Sequence, residues 1–298
     1  MQQKTNIKIL KKLKITIKCD KIILYFLSEE VQMKIGFIGC GNMATAIIKG
    51  VIDSKIIDSN NIFLYDKNKG VLDNVSSKYN AVKCENASET AKNSDIIVLA
   101  VKPNIIQSVL CEINGVLKNS NKLIISIAAG KTIEFIRNCL TQNNRIVRVM
   151  PNINAKVGEA ICAYCYNNEV TDDDKKNVCE ILSGIGKVIE LDESFFSLFG
   201  VIGGCSPAFV YMFIDALARA GVENGMSKDM ALEISAQAVY GSAKMILENL
   251  DTHPWKLIDM VCSPGGTTVE GVLSLQQNGF ESSIHQAVNK AIEKDKKL

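Results

Sequence analysis

The chain has 298 residues, 47% of them hydrophobic and 22% charged, which is an ordinary globular composition and a length that favours two domains. Residues 1–32 carry seven lysines and three acidic residues, so the rest of the chain holds 27 basic against 29 acidic side chains. Because the body of the protein lacks a basic stripe, no nucleic-acid partner is expected.

The first 32 residues are basic and patchily apolar. Their apolar run IILYFL is too short to cross a bilayer and no small-residue cleavage site follows it, so neither a membrane partner nor a signal peptide is predicted. The pattern of a folded domain begins sharply at Met33. We therefore interpret residues 1–32 as an extension that is not part of the native protein.

Ten cysteines are scattered singly along the chain, which is typical of reduced thiols in a cytoplasmic protein. Cys162 and Cys165 form one close pair. A zinc or redox site would need further ligands, and no second pair or nearby histidine supplies them. Two cysteines within one strand is the preferred interpretation, and no metal is expected.

From Met33 onward, short apolar runs rich in β-branched residues alternate with segments of helical periodicity. This alternation predicts βαβ units and a mainly parallel sheet covered on both faces by helices. Strands are predicted at residues 34–39, 61–66, 81–84, 94–103, 122–130, 144–152, 159–166 and 186–191, and helices at 42–54, 69–79 and 171–186.

The strand signal disappears after about residue 191. Ser206, followed by Pro207, is predicted to cap a helix that runs to residue 225, and Ser227 to cap another that runs to residue 249. Both segments are rich in Ala, Gly and Met and apolar over much of their circumference. These features predict an all-helical domain at residues 194–298 that forms a dimer through its apolar faces.

The segment GFIGCGNMATAI places Gly39, Gly41 and Ala44 in the G-x-G-x-x-A pattern between the first strand and the first helix. Glycines there permit a tight turn and bring a pyrophosphate against backbone N–H groups at the positive end of the helix. Residues 33–193 are therefore predicted to form an α/β Rossmann domain that binds a dinucleotide. The loop residues expected to contact it are Gly39, Cys40, Gly41, Asn42, Met43 and Ala44.

Asp66 ends the second strand, where an acidic residue binds the ribose hydroxyls of adenosine and repels the 2′-phosphate of NADPH, which favours NADH. Lys67 and Lys69 follow at once and could pair with that phosphate, so both NADH and NADPH stay open. The strand ends LAVKP and SIAAG lie at the edge of the sheet where ligands bind. They add Ala100, Val101, Lys102, Pro103, Ala128 and Ala129 to the predicted cofactor site.

No general base is evident in the sequence. The only histidines are His253, before a helix start, and His285 in the last helix, and the chain has no serine-hydrolase, zinc-protease or P-loop motif. Hydride transfer to a carbon that is already electrophilic suits such a chain, because the cofactor carries the reaction and the protein supplies orientation and electrostatics.

The motifs GFIGCGNMATAI, AVKP, AAG, RVMPN, AGVENGMSKDMA, GSAKM and HPWKLIDMVCSPGGTT occur in the order and spacing of one family. From Met33 to about Ala291 the chain resembles the Δ1-pyrroline-5-carboxylate reductases, which catalyse the last step of proline synthesis. The resemblance implies reduction of that cyclic imine to L-proline with NADPH or NADH. It also implies a homodimer, with a ring of dimers as a larger assembly.

In the family, the segment that corresponds to SPGGTT caps a helix that receives the carboxylate of the substrate. Exposed N–H groups of Gly266, Thr267 and Thr268 would form an anion site, whereas the alternative is a simple capping turn. By the same analogy the hydroxyl of Thr268, the implied catalytic residue, positions the ring nitrogen. The implied substrate site consists of Ser263, Gly265, Gly266, Thr267, Thr268 and Glu193, with Asn86 near the adenosine ribose.

Two other functions remain open from the residues alone. A β-hydroxyacid dehydrogenase shares the GFIG-G-M opening and would place a catalytic lysine near Lys228. A non-catalytic, nucleotide-sensing relative of the reductases would keep the fold, although an intact SPGGTT segment argues against it. The chain also departs from the family pattern at residues 203–208, GGCSPA, and at Asn154, so the contacts of those loops stay open.

Overall fold

The computed structural model of the protein describes residues 33–118 and 120–295, so the predictions for residues 1–32 lie outside the described residues. Its strands are β1 (Ile35–Ile38), β2 (Ile62–Tyr65), β3 (Val82–Lys83), β4 (Ile96–Leu99), β5 (Leu123–Ser126), β6 (Arg145–Met150), β7 (Ala160–Tyr166) and β8 (Gly186–Glu190). They form one sheet in the order β3-β2-β1-β4-β5-β6-β7-β8. Neighbouring strands are parallel except for β6 and β7.

Helices connect these strands. They are α1 (Asn42–Asp53), α2 (Lys69–Tyr79), α3 (Ala87–Asn93), α4 (Ile106–Leu117), α5 (Ile133–Asn138) and α6 (Asp172–Ser183). The sequence predicted α1, α2 and α6, two of which start with a side-chain cap, at Asn68 and Thr171. It did not predict α3, α4 or α5; α3 and α5 have only seven and six residues, which are too few to show a helical period, whereas α4 has twelve.

The helices cover both faces of the sheet, and the residues of one strand alternate between two hydrophobic cores. In β4, Ile96 and Val98 pack in the core that includes α1 and α6, whereas Ile97 and Leu99 pack in the core that includes α4. Burial on both faces explains why the central strands are apolar at every position. The strand order reverses between β1 and β4, which leaves a crevice at their carboxyl ends.

After β8 the chain is helical, with α7 (Phe196–Phe199), α8 (Ser206–Glu223), α9 (Lys228–Glu248), α10 (Pro254–Val261), α11 (Thr267–Gln277) and α12 (Phe280–Asp295). A π-helical segment, Gly200–Cys205, joins α7 to α8, and the helix runs without a break from Glu193 to Glu223. The prediction that Ser206 caps a new helix is therefore wrong.

Pro207 is tolerated inside this long helix because a side chain replaces the hydrogen bond that proline cannot make. Proline has no N–H for the carbonyl four residues earlier, which belongs to Gly203. The buried side-chain amide of Asn152 donates to that carbonyl at 2.9 Å. The predicted helix start at Ser227 is confirmed, since α9 begins at Lys228 with Ser227 as its N-cap residue, although the Ser227 side chain makes no capping hydrogen bond.

The helical half buries few of its own side chains. Where α8 and α9 meet, a Cβ on Gly221 would lie only 3.2 Å from the Cβ of Ala231. The buried residues of these two helices are Pro207, Ala218, Ala231 and Ser235, and α10 to α12 contain none. By length and hydropathy the stretch Glu193–Glu223 could cross a membrane, and only 17% of its most apolar window is buried. The protomer thus leaves a large apolar surface for a further layer to cover.

Candidate active site

The glycine-rich loop joins β1 to α1 and lies against the end of β4. Gly39 has a φ of +99°, and a Cβ at this position would lie 2.5 Å from the carbonyl oxygen of Ala100. The N–H of Gly39 also donates to the carbonyl of Tyr65 at 2.8 Å. Only glycine suits both this backbone angle and this close approach. The fold thereby brings together two predicted parts of the cofactor site, the glycine-rich loop and AVKP.

The start of α1 is open to an anion. Gly41 is the N-cap residue and has no side chain to accept from the first amides, and a Cβ built on it would meet no atom within 4 Å. The N–H groups of Asn42, Met43 and Ala44 therefore have no side-chain cap. Open space beside uncapped amides at a helix N-terminus fits the pyrophosphate of a dinucleotide.

The loop after β2 lies beside the glycine-rich loop and contains Asp66 and Lys67. The carboxylate of Asp66 accepts from the N–H groups of Cys40 and Asn68, each at 2.8 Å. A cavity of about 590 Å³ opens here between α1, α2 and the Asn68 loop, which is within the usual size of a ligand pocket. The side chain of Lys67 is exposed.

The remaining predicted cofactor residues lie at the same edge of the sheet. Residues 100–103 follow β4, and Ala128 and Ala129 follow β5. Asn86 follows β3 and caps α3, its Oδ1 accepting from the N–H of Glu89 at 2.8 Å. Because β1 to β6 are all parallel, these strand ends share one edge with the glycine-rich loop.

The SPGGTT segment forms the turn between α10 and α11. The carbonyl of Ser263 accepts from the N–H of Gly266 at 3.0 Å, and Gly265 has a φ of +65°. Gly266 is the N-cap residue of α11, and no side chain caps this helix. The backbone amides of Thr267 and Thr268 are therefore available to an anion, whereas the prediction of a free N–H at Gly266 is wrong because the turn itself uses that donor. All of these residues except the half-buried Gly266 are exposed, so the protomer does not enclose the turn.

Glu193 lies at the junction between the sheet and the helical half. Its Oε1 accepts from Nη1 of Arg148 and from the N–H of Ile133, both at 2.9 Å. The guanidinium of Arg148 also lies over the ring of Phe196, 4.6 Å from its centroid. A cavity of about 560 Å³ borders Glu193, and none of residues 263–268 lines it. In this protomer Glu193 thus connects the two halves of the chain.

The sequence analysis did not single out Arg148. It lies in the strand RIVRVM, and its side chain is only 7% exposed. An arginine within an apolar strand needs a partner when it is buried, because an unpaired buried charge is strongly unfavourable. That rule could have identified Arg148 as an ion-pair residue, although it could not have named Glu193 as the partner.

Several other candidates have structural explanations. Cys162 and Cys165 face opposite sides of β7, since Cys162 packs in the core with α6 and Cys165 packs with Phe196, so they cannot share one ion. His253 caps α10, its Nδ1 accepting from the N–H of Trp255 at 3.2 Å. Lys228 is the exposed first residue of α9.

Comparison with known proteins assigns the family. The family model described as pyrroline-5-carboxylate reductase dimerisation matches residues 193–298, and the model described as NADP oxidoreductase, coenzyme F420-dependent, matches residues 34–130. The pyrroline-5-carboxylate reductase of Escherichia coli K12 is 40% identical over 268 residues, which cover 90% of this chain and 99% of that protein. The chain belongs to the pyrroline-5-carboxylate reductase family.

Solved structures of pyrroline-5-carboxylate reductases share its fold. The Plasmodium falciparum enzyme, crystallised with NADP bound, has a TM-score of 0.79 and 37% identity and covers 89% of this chain and 97% of its own. The Coxiella burnetii enzyme has a TM-score of 0.84 and 31% identity, with 89% and 98% covered. The predicted Rossmann domain followed by an all-helical dimerisation domain is confirmed. The chain is thus an NAD(P)H-dependent oxidoreductase of this family.

Proposed function

We propose that this protein reduces Δ1-pyrroline-5-carboxylate to L-proline through two helix N-termini, one for each reactant. The observation that carries the proposal is that α1 and α11 both begin at an N-cap glycine without a side-chain cap. One start follows a glycine-rich loop at the edge of the sheet, and the other lies within SPGGTT. Family membership supports the reaction assigned to this pair of sites.

The cofactor half lies at the carboxyl edge of the sheet. The amides of the glycine-rich loop bind the pyrophosphate, and the loops after β2 and β3 flank the adenosine ribose. When bound, the reduced nicotinamide supplies the hydride that the imine carbon accepts. The residues that form this half are Gly39, Cys40, Gly41, Asn42, Met43, Ala44, Asp66, Lys67, Asn86, Ala100, Val101, Lys102, Pro103, Ala128 and Ala129.

The substrate half is the start of α11. The substrate carries its carboxylate on the carbon next to the imine nitrogen, and the amides of Thr267 and Thr268 bind that carboxylate, because the N–H of Gly266 donates to the carbonyl of Ser263. The helix dipole contributes about 0.3–2 kcal/mol to this binding. The protonated imine N–H donates to the hydroxyl of Thr268, which orients the ring. The C=N bond becomes single and the proton stays on the nitrogen, so the protein needs no general base.

The helical half forms a homodimer, and dimers assemble further into a ring. Exposed apolar side chains support this assembly, among them Met212, Ile234 and Leu247. Full burial of one such side chain stabilises by about 1.5–3 kcal/mol. Several of them together offset the roughly 4–15 kcal/mol that association costs. The same interpretation places the long helix Glu193–Glu223 in a protein interface and not in a membrane.

The domain boundary and the location complete the proposal. We assign residues 33–193 to the dinucleotide-binding domain and residues 194–298 to the substrate-binding and dimerisation domain. The last strand ends at Glu190 and the long helix begins at Glu193, which supports that division. Nine free cysteines among the described residues support a reducing, cytoplasmic location. The near balance of acidic and basic residues supports the absence of a nucleic-acid partner.

One assay tests the reaction. Pyrroline-5-carboxylate is added to the full chain with NADPH or with NADH, and oxidation of the cofactor is followed by its absorbance. Oxidation that depends on the imine, with proline as product, is the expected result. Cofactor binding without oxidation would favour the nucleotide-sensing alternative, and turnover of a β-hydroxyacid in place of the imine would favour the dehydrogenase.

A further inference from the structure

Asp66 commits both of its carboxylate oxygens to backbone amides of the protein. Oδ2 accepts from the N–H of Cys40 in the glycine-rich loop, and Oδ1 accepts from the N–H of Asn68 in the loop after β2. Both distances are 2.8 Å, as expected for charge-assisted hydrogen bonds. The side chain thereby joins the two loops that border the adenosine end of the cofactor site.

Further bonds show that the glycine-rich loop is held at its base. The N–H of Gly39 donates to the carbonyl of Tyr65, and the hydroxyl of Thr45 donates to the carbonyl of Cys40 at 3.2 Å. The hydrogen bond to Asp66 fixes the backbone N–H of Cys40, which lies between Gly39 and Thr45 in the chain. With its base held in this way, the loop presents the uncapped amides of α1 toward the crevice.

The surroundings of Asp66 do not suit a residue that excludes a phosphate. Two amide dipoles point at its carboxylate and reduce the negative potential that it presents. Lys67, on the same loop, and Lys69, the first residue of α2, are exposed, and neither forms an ion pair within the described residues. Two unpaired cations next to the ribose edge favour the 2′-phosphate of NADPH.

We infer that Asp66 is a positioning residue that holds the glycine-rich loop for NADPH and NADH alike, and that it does not select between them. The inference rests on the proposed dinucleotide site. It changes the role that the sequence pattern suggested, in which the same carboxylate binds the ribose and favours NADH.

The first measurement is the dissociation constant of each cofactor, titrated against the full chain without substrate. Asp66→Ala is expected to weaken the binding of NADPH and of NADH by the same factor, about tenfold, because the charge-assisted contact to the glycine-rich loop is lost. The ratio of the two constants should stay within about twofold of the parent. A ratio that shifts tenfold toward NADPH would overturn the inference, as would two unchanged constants.

The second measurement reports the loop in the absence of cofactor. Cys40 is 1% exposed, and burial together with the nearby Asp66 carboxylate raises the pKa of its thiol to about 12. A maleimide should therefore label Cys40 in Asp66→Ala and not in the parent. Cys162, which is fully buried in β7, should stay unlabelled in both, because only the loop opens. Weakened binding with Cys40 still protected would overturn the inference.

Two more variants make the test specific. Asp66→Asn keeps an acceptor for one of the two amides, so its cofactor affinities should lie between those of the parent and the alanine variant at an unchanged ratio; it decides the matter if Asp66→Ala does not fold. Lys67→Ala should give the opposite pattern: the affinity for NADPH alone should fall, and Cys40 should stay protected from the maleimide. A parent that binds cofactor without reducing the imine would refute the proposed function and leave this test intact.

Discussion

The sheet half and the helical half of the protein contain similar apolar residues in different surroundings. In the sheet half, strands such as β4 are buried at every position between two layers of helices. In the helical half, α10, α11 and α12 contain no buried residue, and apolar side chains of α8 and α9 face outward. The first half completes its core within one chain, whereas we propose that the second half completes its core against another copy. On this proposal, the cofactor site depends on the fold of one chain and the substrate site depends on the assembly of two chains.

A charge on the exposed face of α8 should have the largest effect. Met212 is 73% exposed in the protomer and lies within the proposed interface. Met212→Glu would bury a carboxylate without a partner, which is strongly unfavourable. We expect monomers at micromolar concentration by light scattering, and a fall in kcat/KM of more than about 100-fold.

Val157→Glu is the matched control for that variant. Val157 is 75% exposed and lies in the sheet half, so a glutamate there should leave the dimer intact. A Met212→Glu protein that stays dimeric would contradict the placement of α8 in the interface. It would also contradict the proposal that the helical half completes its core against another copy.

Removal of the Thr268 hydroxyl tests whether the exposed turn performs the chemistry. Thr268→Val keeps the shape and the β-branching, and we expect kcat/KM to fall about tenfold to a hundredfold, or roughly 1.4–2.7 kcal/mol. The dissociation constant of the cofactor should not change, because the sheet half binds it. Ser274→Ala, on the same helix, serves as the control. Parent-like turnover by Thr268→Val would show that SPGGTT is only a capping turn.

A side chain at Gly266 should impair substrate binding alone. A Cβ there would lie 2.3 Å from Oγ of Ser263 and would crowd the carboxylate. Gly266→Val is therefore expected to raise the KM for the imine by about tenfold without changing cofactor affinity. Gly271→Ala is the control on α11, where a Cβ meets no atom within 4 Å. Equal losses of substrate and cofactor affinity would mean that the two sites are not separable in this way.

The smallest effect concerns the junction of the two halves. Glu193→Gln keeps an acceptor for the N–H of Ile133 but removes the charge that pairs with Arg148. Because the amide oxygen of glutamine can still accept from Nη1 of Arg148 and the site is about one third exposed at residue 193, we expect a loss of only about 0.5–1 kcal/mol of stability and a melting temperature lower by about 2–4 °C. The KM for the imine should not change. A raised KM without a change in melting temperature would place Glu193 at the substrate, as the family resemblance implies.

Local signals predicted most of the fold. Short β-branched runs predicted the sheet, and the helical segment predicted from residue 171 corresponds to α6. The prediction at Ser206 was wrong because Ser-Pro is a strong local start signal, while the distant Asn152 satisfies the carbonyl that proline leaves free. The helix could continue only because of that tertiary contact, which no local pattern contains.

The sequence by itself determined the family, the glycine-rich loop and the SPGGTT turn, because glycines, caps and β-branched runs act over a few residues. Only the tertiary structure decided that Asp66 joins two loops and that Glu193 pairs with Arg148. A carboxylate can accept from any donor within reach. The donors here lie far away along the chain, since Cys40 is 26 residues from Asp66 and Arg148 is 45 residues from Glu193. The positions of such donors depend on how the strands and helices pack, which is why residue type indicated charge at these sites but not its role.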